Sequence, residues 1–576
     1  MFKELKTLLP FARKYRSAYI IGFICLLATD AGEMYIPLLI KKAVDSLGTE
    51  GFSLHRIGTL MLLMLSIAVS VGAARFGWRF FIIGSSRRIE RDLRKKIFDH
   101  LLTLSSTFFG SVKSGDIMAR ATNDMRSVRR ASGMALVAFL DGTVLSVGIV
   151  SLLFITYGKL ALVTILPLPF ITLIILFAGK FIKKYFKSVQ EGFSLLTERT
   201  RETFSGIRVI KSLTMETYFK KKFLQVNLQY KERNMRLVRL WGFFFPLISF
   251  ISGLSLMLLL VFGGRAVINK QITPGDFTAL ISYLVMLIWP LMGMGFTVNI
   301  LQRGAASMGR INNILKTEPD IVSPPRPVPF FKESDIKVKN LTFAYPGTDS
   351  PVIKEINAVF RRGATTGILG RTGSGKSTLL KLLPRLLDPP EGTLLIGDID
   401  IRNYKLEVLR KNLGFVPQDT FLFSTTIREN ISFGKPDAGD SEIMEICSIV
   451  SLVKDLENFP GGIGTEVGER GVTLSGGQKQ RIAMGRALLP DPPVLIMDDP
   501  FSSVDTETES SILHRLFEKR QGKTNILVSH RVSTLSRCDY VYVLDGGRIV
   551  QRGTPGELLM EEGLYREIAV LQGEDV

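Results

Sequence analysis

A chain of 576 residues exceeds what one hydrophobic core organises, so at least two domains are expected. The formal net charge of +20 would suit a nucleic-acid binder, yet residues 331–576 hold 30 Lys and Arg against 34 Asp and Glu, leaving 43 bases and 19 acids in residues 1–330. That basic half is also the one dominated by apolar runs of about twenty residues, so the charge is read as membrane topology and contact with anionic lipid headgroups, and nucleic acid is excluded as a partner.

Cys25, Cys447 and Cys538 stand alone without CxxC spacing, so neither a disulfide framework nor a zinc site is expected, only buried thiols. The chain begins Met-Phe-Lys-Glu-Leu-Lys and enters its first apolar run without a small-residue cleavage site, so no removable signal peptide is expected. Six membrane helices are predicted at about 17–40, 57–83, 134–157, 160–178, 241–264 and 277–300, each close to the length that crosses a bilayer. The connections 84–133 and 179–240 are long and basic, whereas 41–56, Gly158-Lys159 and 265–276 are short. Long basic loops stay inside, so both termini are placed in the cytoplasm and the chain in the cell (inner) membrane.

The two long connections read as continuations of the spans, because apolar residues recur at helical intervals among charges, as in Ile89, Leu93, Ile97 and Leu101. Ser114-Gly115-Asp116 and Thr122-Asn123-Asp124 in the first, and ETFSGIRVIKS over 202–212 in the second, resemble the intracellular loops of exporter-type ATP-binding-cassette (ABC) proteins. That resemblance implies short transverse helices that dock on nucleotide domains; by themselves the segments read equally as amphipathic linkers.

Charge inside a span is costly, so Asp30 and Glu33 in the first and Asp141 in the third need a reason. Asp30 and Glu33 share a helix face roughly 20 Å from the cytoplasmic start. An acidic lining for cationic substrates, a polar gate and simple interfacial solvation are all compatible with this placement. Arg75 and Arg79, late in the second span, are expected to snorkel to the headgroups. Pro37, Pro167, Pro169, Pro246 and Pro290 are candidate bends.

In the C-terminal half the β-like run ATTGIL leads into Gly370-Arg371-Thr372-Gly373-Ser374-Gly375-Lys376-Ser377-Thr378 and then the predicted helix TLLKLLPRLL. Glycines there let backbone N–H groups face phosphates, Lys376 neutralises β/γ charge and Ser377 reaches Mg²⁺, so ATP and Mg²⁺ are the expected cofactors. About 120 residues on, Pro493 to Met497 reads as a buried parallel strand ending in Asp498, the acid that organises Mg²⁺. Before it stands Leu474-Ser475-Gly476-Gly477-Gln478, opening the helix KQRIAMGRALL.

Leu-Ser-Gly-Gly-Gln between two such elements resembles the signature of the ABC family and separates the domain from other phosphate-loop ATPases, kinases and GTPases. The resemblance implies a head-to-tail dimer of nucleotide domains, in which Leu474 to Gln478 contact ATP held by the opposite subunit. It further implies that Tyr345 stacks on adenine, that Gln418 touches Mg²⁺ and the attacking water, and that Asp505 is the aspartate that reaches the partner site. His530 would contact the γ-phosphate, and Thr465 to Gly471 resembles the exporter-specific loop near the transverse helices. The architecture expected is multi-domain: an all-α six-helix transmembrane domain with long cytoplasmic extensions over 1–320, a linker over 321–335, and an α/β phosphate-loop domain over 336–576.

One position departs from the family. After Asp498 it normally has glutamate, the carboxylate that polarises the hydrolytic water; this chain has Asp499, one methylene shorter. A misplacement of about 1 Å costs on the order of 10²-fold in rate, so this site is expected to bind ATP and turn it over slowly. The intact signature suggests a heterodimer, in which it completes a competent site on a second half-transporter that supplies glutamate and whose own signature deviates. In this the chain resembles the degenerate-site subunit of heterodimeric bacterial multidrug exporters, an ATP hydrolase coupled to export of amphipathic drugs or lipids. The alternatives are an ATP-gated channel or regulatory subunit, and a homodimeric exporter with a slow aspartate-based site.

Overall fold

The computed structural model describes residues 2–47, 54–348, 350–468 and 474–573. These divide into two compact units: Met1–Leu102 with Lys113–Thr317, and Thr103–Val112 with Glu318–Val576.

The first unit is helical, and six of its helices are long and apolar enough to cross a membrane: Arg16–Leu47, Ile57–Leu101, Ser114–Tyr157, Lys159–Ser205, Glu216–Ile268 and Pro274–Leu315. At 32 to 53 residues they outrun the roughly twenty residues a bilayer needs, so the second to fifth continue as the predicted extensions and the sixth runs on to Leu315. Ile89, Leu93 and Ile97 lie on the buried face of one extension, packed with Met125, Val128, Met308 and Ile311. The first helix packs on the second, third and sixth, and the fourth on the fifth and sixth. Glycine permits the closest of these approaches: a Cβ at Gly32 would run into Val71, and one at Gly77 into Cys25. Ile24, Leu65, Phe76, Phe170, Phe250, Leu260 and Trp289 stay exposed, as side chains meeting lipid do.

The candidate prolines act differently from one another. Pro37, Pro246 and Pro290 sit inside continuous helices, whereas the fourth span is interrupted: a helix Lys159–Ile165 stops, and a second begins at Pro169. Pro167 and Pro169 supply no N–H for the ladder there. Gly158 (φ +49°) makes the tight turn from the third span into the fourth. A short helix, Ile207–Ser212, joins the fourth and fifth spans.

The second unit carries ten strands in two sheets: β1 Ile336–Phe343, β2 Ile353–Phe360, β3 Thr365–Gly370, β4 Leu394–Ile396, β5 Ile399–Asp400, β6 Leu413–Val416, β7 Val494–Asp498, β8 Thr524–Val528, β9 Tyr540–Asp545 and β10 Arg548–Gly553. A four-stranded antiparallel sheet runs β2-β1-β4-β5, and a six-stranded sheet runs β10-β9-β3-β8-β7-β6. The order β9-β3-β8-β7-β6 is parallel throughout, and β3, β7 and β8 are buried at every residue, which accounts for the apolar run Val494–Met497 in β7 and for threonine and asparagine being the only polar residues of β3 and β8. Ligands of such sheets bind beyond the carboxyl ends of the strands. The short helix Ser106–Ser111 belongs to this unit, and its Ser106 hydroxyl donates to the Leu386 carbonyl.

Candidate nucleotide site

Four adjacent parallel strands each deliver one of the singled-out segments from the same end. Gly370 closes β3 and opens the glycine loop, Asp498 closes β7, His530 follows β8 by two residues, and Gln418 follows β6 by two. Since the spatial order is β3-β8-β7-β6, segments far apart in sequence converge. Thr372 to Thr378, Gln418, Asp498, Asp499 and His530, with Val352 and Val528, line one cavity of about 210 Å³.

The loop is shaped by glycine at required positions. Gly373 and Gly375 have φ of +83° and +98°, and a Cβ at Gly370 would strike the Leu544 carbonyl. Gly375 caps a helix, Lys376–Leu382, shorter than the predicted TLLKLLPRLL because Pro384 cannot continue it. Lys376 is 6 % exposed, and its Nζ donates to the carbonyls of Gly370 (2.7 Å) and Arg371 (2.9 Å). Burial holds its ammonium below the usual lysine range, although the Asp498 and Asp499 charges oppose the shift.

Ser377 Oγ donates to Asp498 Oδ1 at 3.0 Å. Burial raises the Asp498 carboxyl above its ordinary value, and the Ser377 hydrogen bond works against that. Asp499 is also buried; its φ is +49° and its N–H is held by the Val528 carbonyl at 3.1 Å. Gln418 is exposed at the rim, and His530 accepts at its carbonyl from Gln572 Nε2 at 2.6 Å. Among the described residues no three His, Cys, Asp or Glu side chains gather as a metal site; the oxygens of Ser377, Asp498 and Gln418 are hard donors of the kind Mg²⁺ takes.

Three predicted ATP contacts, Tyr345, Gly370 and Arg371, lie outside the cavity lining. Tyr345 sits edge-on to Phe343 (centroids 5.6 Å apart), and its hydroxyl pairs with Thr378 Oγ1 at 3.0 Å, which ties it to the loop helix. Arg371 reaches Glu567 at 3.4 Å.

Leu474 to Gln478 and Asp505 form a second cluster, away from that cavity. Ser475 caps the helix Gly476–Leu488 with a reciprocal box: its Oγ accepts from Gln478 N (3.2 Å), and Gln478 Oε1 accepts from Ser475 N (2.9 Å). Gln478 Nε2 also donates to Asp455 at 2.7 Å. Asp505 caps the helix Thr506–Lys519, and the Thr508 N–H it accepts keeps its carboxyl below the usual range. A Cβ at Gly477 would meet the Ser503 carbonyl at 2.7 Å, so this glycine has an intrachain reason to be glycine besides any phosphate. The clamp between the two segments is the buried Gln480, which sequence reasoning missed because neither its burial nor its partners can be read from the sequence. Of the segment Thr465–Gly471, Val467 N–H bonds the Thr425 carbonyl at 2.8 Å; Glu469, Arg470 and Gly471 lie outside the described residues.

In the transmembrane unit, Glu33 pairs with Arg75. This corrects the expectation that Arg75 snorkels: the close packing of the first two spans brings a carboxylate within reach of its half-exposed guanidinium. Arg79 lies over the Trp78 ring at 5.4 Å. Asp30 is 1 % exposed and not solvated at an interface, because its helix runs on to Leu47 and leaves it in the interior. Asp141 is half-buried.

A family model for the ABC transporter transmembrane region matches residues 19–291, and one described as ABC transporter matches residues 353–502. The chain is 36 % identical over 568 residues to the probable multidrug resistance ABC transporter ATP-binding/permease protein YheI of Bacillus subtilis, covering 98 % of this chain and 97 % of that one. It is 35 % identical to the multidrug resistance-like ATP-binding protein MdlA of Escherichia coli (97 % and 94 % covered) and 30 % identical to an ATP-dependent lipid A-core flippase of Vibrio vulnificus (99 % and 98 %). A solved bacterial Atm1-family ABC exporter with ATP bound superposes with a TM-score of 0.78 at 25 % identity, covering 97 % of this chain and 99 % of that one. The chain therefore belongs to the ABC transporters, as a multi-pass membrane protein of the exporter type that carries its transmembrane and ATP-binding domains fused.

Proposed function

We propose that this chain is one half-transporter of a heterodimeric exporter that moves amphipathic substrates, drugs or lipids, across the cell (inner) membrane, and that its own ATP site is hydrolytically slow. The named multidrug and lipid A-core flippase relatives support the substrate class. The domain limits are 1–320, 321–335 and 336–576, with both termini and the nucleotide-binding domain cytoplasmic, as the basic connections favour.

The observation that carries the slow site is Asp499. It stands where the family has glutamate, and its backbone N–H is fixed to Val528 O on the neighbouring strand. A backbone held by that bond does not advance to make up for the missing methylene, so the carboxylate stops short of the position from which it would orient water. The remaining machinery is intact. Lys376 exchanges its loop carbonyls for phosphate oxygens, Tyr345 flanks the base, Arg371 to Thr378 cradle the phosphates, and His530 approaches the γ-phosphate. Ser377, Asp498 and Gln418 would hold Mg²⁺, which when bound neutralises charge on the β- and γ-phosphates. Leu474 to Gln478 and Asp505 complete the site of the partner, whose glutamate performs most of the hydrolysis. Closure of the nucleotide dimer favours one arrangement of the spans by differential contacts, and Asp30, Glu33 and Asp141 line the region where substrate or gate contacts change.

The test is ATPase activity of the purified chain alone and together with its co-purifying partner, each with and without Asp499→Glu. The proposal requires activity to depend on the partner and the substitution to accelerate the slow site. Robust hydrolysis by the lone chain would make Asp499 a working carboxylate in a homodimer. ATP-dependent conductance without uphill transport would make the protein a channel.

A further inference from the structure

Asp30 is 1 % exposed, and neither of its carboxyl oxygens has a hydrogen-bond donor. The donors close by are committed elsewhere. The Thr29 hydroxyl donates to Cys25 O at 2.8 Å, and the Tyr283 hydroxyl of the sixth span donates to Met34 O at 2.7 Å. The first span packs on the third, and across that contact the carboxyl that interacts with Asp30 is Asp141. Two ionised carboxylates in that position repel in a medium that screens poorly, and both present acceptors only.

The other charges around the pair do not supply a donor. Glu33, three residues along the same helix, carries a further negative charge and pairs with Arg75 of the second span. The Arg75 charge is felt at Asp141, so three carboxylates share a single guanidinium. The sixth span, packed on both the first and third, approaches Asp141 at its neighbour Gly142 through Met294 and Pro290, which carry no charge. What converts two facing acceptors into a bond is a hydrogen on one of them, and a carboxyl-to-carboxylate O–H···O⁻ bond is among the short, strong class.

We propose that Asp30 and Asp141 bind one proton between them and form an acid pair that ties the first span to the third. The proton gives the orphaned Asp30 oxygens a partner and removes one negative charge from the pair. Half-buried Asp141 is the side from which it exchanges. A rearrangement that parts the two spans gives each carboxyl to water, where carboxylates ionise at neutral pH, so the proton leaves when the helices separate.

The experiment is difference infrared spectroscopy of the full-length chain in lipid nanodiscs at neutral pH, comparing the parent with Asp30→Asn and Asp141→Asn. Asparagine donates an N–H to the remaining carboxylate, so each variant keeps a paired site and is expected to fold. The proposal requires a protonated-carboxyl C=O band in the parent that shifts in D₂O and is lost in both variants. Absence of the band from the parent, or its persistence in both variants, overturns it. So does a parent melting temperature that depends on sodium or potassium when that of Asp30→Asn does not, because the occupant would then be a metal cation.

Discussion

Gln480 Nε2 donates to the Ser502 hydroxyl at 2.6 Å, while Gln480 Oε1 accepts the Ser503 N–H at 2.9 Å. One buried side chain thus joins the signature helix to the loop that follows Asp499, and the loop in turn leads to Asp505. Replacing Gln480 with leucine keeps the volume and removes both bonds, at a cost of about 0.5–1.5 kcal/mol for each. The expected outcome is a lower melting temperature of the nucleotide-binding domain and a several-fold loss of partner-dependent ATPase, with ATP affinity at the Lys376 site unchanged. Equal loss of ATP binding, measured with a fluorescent nucleotide, would show that the clamp serves the fold of the whole domain instead.

Asp498 is a different case, because its function and its burial oppose each other. Its folded carboxyl is raised above the usual 3.8 by desolvation. For an acid shifted upward, folding favours the protonated form: the contribution to stability is full below the unfolded value and is lost as pH rises through the folded one. At neutral pH the buried carboxylate is therefore a cost. Asp498→Asn removes that ionisation and keeps an oxygen for the Ser377 hydroxyl, so the nucleotide-free variant should melt a few degrees above the parent at neutral pH. The gap should close on acidification toward pH 4, and hydrolysis should be lost at neutral pH. A gap that widened in acid would reverse the assignment.

Much of the nucleotide site was legible because its chemistry is local in sequence. The loop Gly370 to Thr378 needs glycine at φ values that only glycine adopts freely, and the strand ending at Asp498 advertises its burial by the apolar run Val494–Met497. The six spans were legible for a related reason, since length and apolarity alone decide them. What escaped was set by tertiary partners. Arg75 reads as a snorkelling residue from sequence because nothing there places Glu33 beside it, and the sequence leaves Asp30 open between lining, gate and interface because it does not fix how far the helix runs, which is to Leu47. Gln480 carries no motif of its own, and its role exists only because Ser502 and Ser503 fold back on it. The helix after the loop ends at Leu382 although leucines continue the pattern, because Pro384 cannot extend the ladder.

Beneath the spans, a Cβ at Gly304 would run into the Cβ of Ala131 and approach Ser127 O at 3.4 Å. The two helices that meet there are also joined by Asp124, which accepts from Ser307 Oγ at 2.9 Å and from Arg310 Nε at 2.8 Å, so the backbones have little freedom to part. Gly304→Ala gains about 1 kcal/mol of helix propensity and incurs an overpacking cost of about 1–3 kcal/mol, and a net loss of stability is expected. Ala131→Gly alone loses propensity and opens a gap. In the double variant the methyl simply changes sides, so Gly304→Ala should cost clearly less when Ala131 is already glycine, with a coupling of about 0.5–3 kcal/mol. The four proteins can be compared by thermal unfolding in the same detergent. Strict additivity would mean that the sixth helix shifts to accommodate the methyl, and the Asp124 to Arg310 connection would then have to be weaker than its geometry implies.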